Sequence, residues 1–334
     1  MPQTSKIEGE TDVGRGAGTP SLDRLLDLLA ASPVPGADAL ALRRRAFQRV
    51  REVAGVRGGP LFVRPAKTYP VSVTGGFCAL NCAHCGGKFL RGMLTLEEAV
   101  EAASSESPPE SWLLSGGCDV HGGVPLPPES ALNRLARVGR VNWHPGLASS
   151  EAIQKARRYV DCISFDFVGS DETIGRVLGL DARVEDYLAT YRSLRDLAPV
   201  VPHLVVGLDG SRLRGEYRVL DLLASEGAES LVLLVLWPAP GTAFENLSPP
   251  DLRDVFSVFA TARTKLPRAR LSLGCMRPPG AYRTAVDAMA AAVGFDVIVQ
   301  PAGPVVREFP ASGTYFDECC AFATITEGWD PSCA

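Results

Sequence analysis

The chain has 334 residues, 46% of them hydrophobic and 22% charged, with a formal net charge of −4. That is the composition of a globular protein, and the slightly acidic balance offers no basic surface for nucleic acid or an anionic membrane. No apolar run approaches the roughly 18 residues that a membrane-spanning helix needs. Residues 1–20, rich in Gly, Thr and charge, lack the apolar core of a secretory signal, so a disordered tail and a cytoplasmic location are expected. Nine cysteines in a chain of this kind, three of them clustered, favour metal ligation in a reducing compartment over a disulfide frame.

Residues 21–65 read as an N-terminal helical extension. Ser21 caps a run with apolar spacing of three and four, and Asp38 opens an arginine-dense amphipathic run that reaches Ala54. From residue 66 to 300, strand-like apolar runs fall at 71–74, 111–115, 140–143, 162–167, 201–208, 230–236, 270–273 and 296–299. Helical patterns separate them at 95–104, 128–137, 150–159, 184–197, 216–226, 249–264 and 281–292. Eight alternating units predict an α/β fold, a (β/α)8 TIM-type barrel, with a doubly wound open sheet as the alternative. Residues 301–334 form a C-terminal segment that carries Cys319, Cys320 and Cys333.

Chemistry in such barrels gathers at the C-terminal ends of the strands. Cys78, Cys82 and Cys85 follow the first strand with the spacing C-x3-C-x2-C. Iron–sulfur cubes are normally held by four thiolates, so three on one loop leave one iron open to a ligand. A zinc site built from Cys78, Cys82, Cys85 and His84 is the alternative. After the second strand come Ser115, Gly116 and Gly117, where the missing side chains allow close backbone approach; an ordinary tight turn is the plainer reading. Asp166 ends the fourth strand, where a solvated carboxylate is the plain reading. Gly207 and Gly210 make a turn after the fifth. Arg277 has a planar fork suited to a substrate carboxylate, to orienting a cluster, or to a surface salt bridge. Cys118 and Cys275 lie on the rim after strands two and seven. With Cys319 or Cys320 they form the expected ligand set of an auxiliary Fe–S cluster, the alternative being inert buried thiols. Cys162 reads as a small buried hydrophobe and His203 as a hydrogen-bonded core histidine.

The stretch Cys78-Ala-Leu-Asn-Cys82-Ala-His-Cys85 resembles the signature of the radical S-adenosylmethionine (radical SAM) superfamily. Ser115-Gly116-Gly117 resembles that family's GGE element, with Cys118 in place of the acid. The resemblance covers about residues 66–300. It implies a [4Fe–4S] cluster on Cys78, Cys82 and Cys85, with SAM on the open iron. It also places the SAM amino group at Ser115–Gly117, the ribose at Asp166 and the adenine beside Gly207. The stretch Leu273-Gly-Cys-Met-Arg-Pro-Pro-Gly280 and the extra cysteines resemble the biotin-synthase-like branch, and within it a component of the two-protein, archaeal-type lipoyl synthase. That likeness implies a sulfurtransferase acting on an octanoylated lipoyl carrier protein. It also implies a second radical SAM protein as partner and a reductant such as ferredoxin or flavodoxin. Two other readings stand beside it. One is a different radical SAM enzyme of the biotin synthase, maturase or mutase type, acting on a small molecule. The other is a non-enzymatic metal-binding protein.

Overall fold

The computed structural model describes residues 59–308 and 315–325. The expected tail, the helices of the N-terminal extension before residue 59, and Cys333 lie outside the described residues. Ten strands form one sheet: β1 Leu61–Val63, β2 Thr68–Ser72, β3 Leu94–Thr95, β4 Ser111–Ser115, β5 Arg140–Trp143, β6 Cys162–Asp166, β7 Val200–Val206, β8 Ser230–Val235, β9 Arg270–Leu273 and β10 Val297–Val299. Every pairing between them is parallel. Parallel strands are covered on both faces, which is why they read as unbroken apolar runs rather than as alternation. In β8, all residues but Leu234 are buried.

Helices cover the outside: α1 Leu96–Ala102, α2 Glu129–Val138, α3 Ser150–Ala156, α4 Val184–Arg195, α5 Glu216–Ser225, α6 Leu252–Lys265 and α7 Ala281–Val293. Their ends follow local chemistry. Thr95 and Glu98 exchange side-chain and backbone bonds of 3.2 and 2.7 Å at the start of α1, a capping box. Asp251 caps α6, whose buried residues Val255, Phe256, Val258, Phe259 and Ala262 form one stripe three and four residues apart.

The sheet order runs β1-β10-β9-β8-β7-β6-β5-β4-β2-β3. β1 and β2, near its two ends, are consecutive in the chain and separated by residues 64–67 only. They behave as one bent strand whose first half pairs with β10 and whose second half pairs with β4. Chain continuity therefore brings the two edges together into an α/β barrel of the expected type. The C-terminal segment seals that seam. Phe316 N donates to Phe62 O, and Phe316 O accepts from Arg64 N, both at 2.9 Å. Lys67 N donates to Asp317 O at 2.9 Å, and Cys319 N to Thr68 Oγ1 at 2.8 Å.

After a short helix α8, Gly303–Glu308, and the seam segment, the helix α9, Cys320–Ile325, enters the barrel. It packs against β6 to β10 from inside. Phe322 is fully buried in a cluster with Cys162, Val201 and Val232. The Arg140 guanidinium lies 4.3 Å over the Phe322 ring and also pairs with Glu318. Burying a side chain of that size contributes about 1.5–3 kcal/mol. The expected C-terminal tail is thus an internal plug at the end of the barrel where the strands begin.

Candidate functional site

Two loops are pinned together at the opposite end of the barrel. Thr74 Oγ1 accepts from Gly117 N at 2.7 Å and donates to Phe77 O at 2.8 Å. Ala79 N donates to Cys118 O at 2.8 Å. A Cβ on Gly117 would lie 1.9 Å from Phe77 O and 2.5 Å from Cys78 Cα. Only a glycine lets the two backbones cross this closely. The cysteine loop then runs against the helical turn 174–178: Ala83 N donates to Val177 O at 2.8 Å, and the Cys82 thiol to Leu178 O at 3.6 Å. Beyond the loop, the turn Lys88–Gly92 reaches over the mouth, where Lys88 Nζ meets Pro240 O and the Phe89 ring lies 6.4 Å from that of Trp237.

The donor atoms of Cys82, His84 and Cys85 all lie within 4.8 Å of one another. The Cys82 thiol donates toward Cys85 and, with His84, holds the Cys85 thiol well below its ordinary value. That sharing, together with burial, keeps Cys82 protonated. His84 Nδ1 is buried without a hydrogen-bond partner. A compact set of thiols, one readily deprotonated, beside an unsatisfied imidazole nitrogen is what a metal-binding loop presents. The residues fit either an iron–sulfur cluster or a single thiophilic ion.

The loop opens on a cavity of about 210 Å³, lined by Cys78, Cys82 and Cys85 on one side and by Ser115, Gly116, Gly117 and Cys118 on the next. His144, Asp166 and His203 also line it, the first just past the end of β5 and the others on the adjacent strands β6 and β7. Asp166 and His203 are register partners between β6 and β7, so their side chains share the inward face. His144 Nε2 lies 3.2 Å from Asp166 Oδ2, and the His144 and His203 rings stack 6.1 Å apart. Burial alone would push Asp166 up, but the charge and hydrogen bond of His144 win and hold it at about 2. Burial would push His144 down, and the same carboxylate raises it above its ordinary value. His203 is taken down to about 4, chiefly by burial. The Asp166 side chain is 51% accessible although protein surrounds it, because it faces the lumen.

Several expected site residues thus meet in one place: Cys78, Cys82, Cys85, Ser115, Gly116, Gly117, Cys118 and Asp166 all line this cavity. Gly207 does not line it. Its amide donates to Glu216 Oε1 at 2.8 Å, its φ is +79°, and a Cβ there would lie 2.4 Å from Pro250 Cγ. Its neighbour Leu208 reaches the cavity instead.

The auxiliary thiols divide. Cys118 stays at the mouth, where burial and the nearby Cys78 and Asp166 charges push its thiol up to about 12. Cys275, on the loop after β9, lies within electrostatic range of Cys320. Cys162 is within range of both Cys319 and Cys320. Cys118 stays with the loop triad, while among the described residues Cys162, Cys275, Cys319 and Cys320 do not come together as a ligand cluster; the group that does is Cys82, His84 and Cys85. Arg277 is fully buried and committed. It bonds Asp287 Oδ1 at 2.5 Å, Gly274 O at 2.5 Å and Val299 O at 2.8 Å, tying β9, β10 and α7 together. Sequence reasoning singled out neither His144 nor Tyr187 as a site residue, and both line the same cavity. Their signal would have been inward register on the barrel strands and on the first turn of α4.

No family model matches the sequence, and no curated protein matches it. Solved structures do share its fold. HydG, a maturase of the [FeFe]-hydrogenase, is similar with a TM-score of 0.56 at 15% identity, over 83% of this chain and 66% of HydG. HydG from Carboxydothermus hydrogenoformans gives a TM-score of 0.55 at 15% identity, over 84% of this chain and 67% of that one. Methylornithine synthase (PylB) gives 0.53 at 16% identity, over 93% of this chain and 92% of that one. At such identities the likeness defines the fold alone, an α/β barrel. The chain spans just under two thirds of the first HydG.

Proposed function

We propose that the protein is a radical SAM enzyme. One observation carries the reading: three cysteines on a single loop open on a barrel lumen directly beside the Ser115–Gly117 backbone. Cys78, Cys82 and Cys85 would hold a [4Fe–4S] cluster, with SAM against Ser115, Gly116 and Gly117. When bound there, the reduced cluster supplies the electron that cleaves SAM to methionine and a 5′-deoxyadenosyl radical. The chain's own work is positional. Thr74 and Gly117 fix the loop, Phe89 and Trp237 shield the mouth from water, and the aliphatic wall holds a substrate carbon in the lumen.

Within that class we favour sulfur insertion into the unactivated C–H bonds of an octanoyl chain on a lipoyl carrier protein, a lipoyl synthase-like activity. A second radical SAM protein and a ferredoxin or flavodoxin reductant would be its partners in the cytoplasm. Cys275, Cys319, Cys320 and Cys162 are the thiols we propose for an auxiliary Fe–S cluster as sulfur source; they do not stand at ligating distance from one another, so binding would have to draw them together. The test is anaerobic. Iron and sulfide are measured on the wild type and on a Cys78/Cys82/Cys85 triple Ala variant, and products are followed by mass spectrometry with SAM and an octanoyl-lysyl peptide. Deoxyadenosine and a thiolated peptide are expected, with residual iron in the triple variant. Zinc in place of iron would sink the enzyme reading. Deoxyadenosine without thiolation, with or without a partner protein, would leave a radical SAM enzyme of another outcome. No iron in the triple variant would remove the auxiliary cluster.

A further inference from the structure

The lumen beyond the cysteine loop is chemically one-sided. Among the described residues no Lys or Arg lines it, and the His144 ring is already taken by Asp166. Its walls are aliphatic, with Leu147, Leu178, Leu180 and Val205 among them. Two of the polar groups in it, His203 and Asp166, present acceptors to the space. His203 Nδ1 lies 2.9 Å from Val201 O, and a carbonyl can only accept, so the proton sits on Nδ1. The Nε2 lone pair is therefore left free, and the ring is neutral, with a pKa near 4. Asp166 gives one oxygen to His144 at 3.2 Å, and its side chain remains half accessible to the lumen. The two acceptors come from register partners on neighbouring strands, so they face the same space.

We propose that Asp166 and His203 form an anchor for an N–H group of the substrate, with the attached hydrocarbon lying along the aliphatic wall. An ionised carboxylate beside a neutral imidazole acceptor rejects carbonyl-only and anionic groups, because these would leave the two lone pairs unmatched. The shared chemistry is an alkyl chain that ends in an N–H donor. It is supplied either by the amide of an acylated lysine or by a free alkylammonium. Asp166 thus faces the substrate rather than the SAM ribose. The inference rests on the lumen being a substrate chamber, as the radical SAM reading has it, while its choice of ligand is independent of sulfur insertion.

Binding decides it without turnover. Dissociation constants are measured on the anaerobically reconstituted protein for an N6-octanoyl-lysyl peptide, its ester isostere in which oxygen replaces the amide N–H, octylamine, and SAM. The amide should bind at least about tenfold tighter than the ester, the scale of a lost charge-assisted hydrogen bond. Asp166→Asn and His203→Gln should each erase that preference and leave SAM affinity within about twofold. Equal binding of amide and ester by the wild type, with no preference for octylamine, overturns the anchor. So does a loss of SAM affinity in Asp166→Asn as large as the loss for amide, which would return Asp166 to the ribose. Should Asp166→Asn fail to fold, the wild-type ligand series and His203→Gln carry the test. Tight, Asp166-dependent binding of octylamine alone keeps the anchor and removes the acyl-lysine substrate.

Discussion

Gly117→Ala puts the crossing of the two site loops under direct strain. The new methyl would sit 1.9 Å from Phe77 O and 2.5 Å from Cys78 Cα. Ordinary contact between a carbon and an oxygen is about 3.2 Å, so the overlap exceeds an ångström and falls on backbone, which has no rotamer to yield. Overpacking of this kind costs about 1–3 kcal/mol, or roughly 5- to 150-fold in the population of the native loop. A ligand loop must hold its geometry to about 0.5 Å, so the displacement would be felt first at Cys78. We expect anaerobically reconstituted Gly117→Ala to lose most of its loop-bound iron and its melting temperature to fall by about 2–10 °C. Gly116→Ala is the matched control. Its methyl would meet Val73, Thr74 and Val124 side-chain atoms at 3.1–3.3 Å, which can give by a few tenths. Wild-type iron and melting behaviour in Gly117→Ala, or equal damage in Gly116→Ala, would refute the crossing argument.

Two other perturbations read different parts of the molecule. Arg277→Met leaves the buried Asp287 with the Ala302 amide but without its countercharge, and should cost about 3–5 kcal/mol in urea unfolding. An Arg277→Met/Asp287→Leu double variant should recover part of that loss, and no recovery would mean that the pair is not coupled. In a histidine NMR titration, His144 should titrate above its ordinary value, and Asp166→Asn should bring it down, because burial alone then acts. The sign for stability follows. His144 is raised in the fold, so its share of the pair is full below the unfolded pKa of about 6.5 and fades as pH rises through the folded value. Asp166, held at about 2, keeps its share down to acid pH. Asp166→Asn should therefore destabilise more at pH 6 than at pH 9; the opposite order would contradict the ion pair.

Much of the barrel was legible because its strands are buried on both faces and its helices are not. The runs at 111–115, 140–143 and 270–273 coincide with β4, β5 and β9. The strands β1 and β3, of three and two residues, are too short to carry a pattern, and β1 lies in the stretch read as helical extension. The cysteine loop and the Ser115–Gly117 turn could be found because their chemistry is local. The fate of Arg277 could not, since its partner Asp287 lies ten residues away on a helix whose inward face only the packing fixes. Gly207 was read as ligand-facing for the same reason: nothing in its neighbourhood announces Pro250. Cys118 looked like a partner of Cys275 because both follow strands. The barrel's geometry places Cys118 in the cavity with Cys78 and Cys275 on the loop after β9, outside that lining.

The seam gives the chain a timetable. Thr68 and Arg64 meet Cys319 and Tyr315 across 251 residues of sequence each. At about 5–20 residues per second, the ribosome needs roughly 12–50 s to make that stretch. Throughout that time the seam over the first strands is unsealed, and the inner wall around Cys162 and Val201 is uncovered. Contacts of such length are also the slow ones in folding. The barrel therefore closes last, from below, and only after every thiol up to Cys319 has been made.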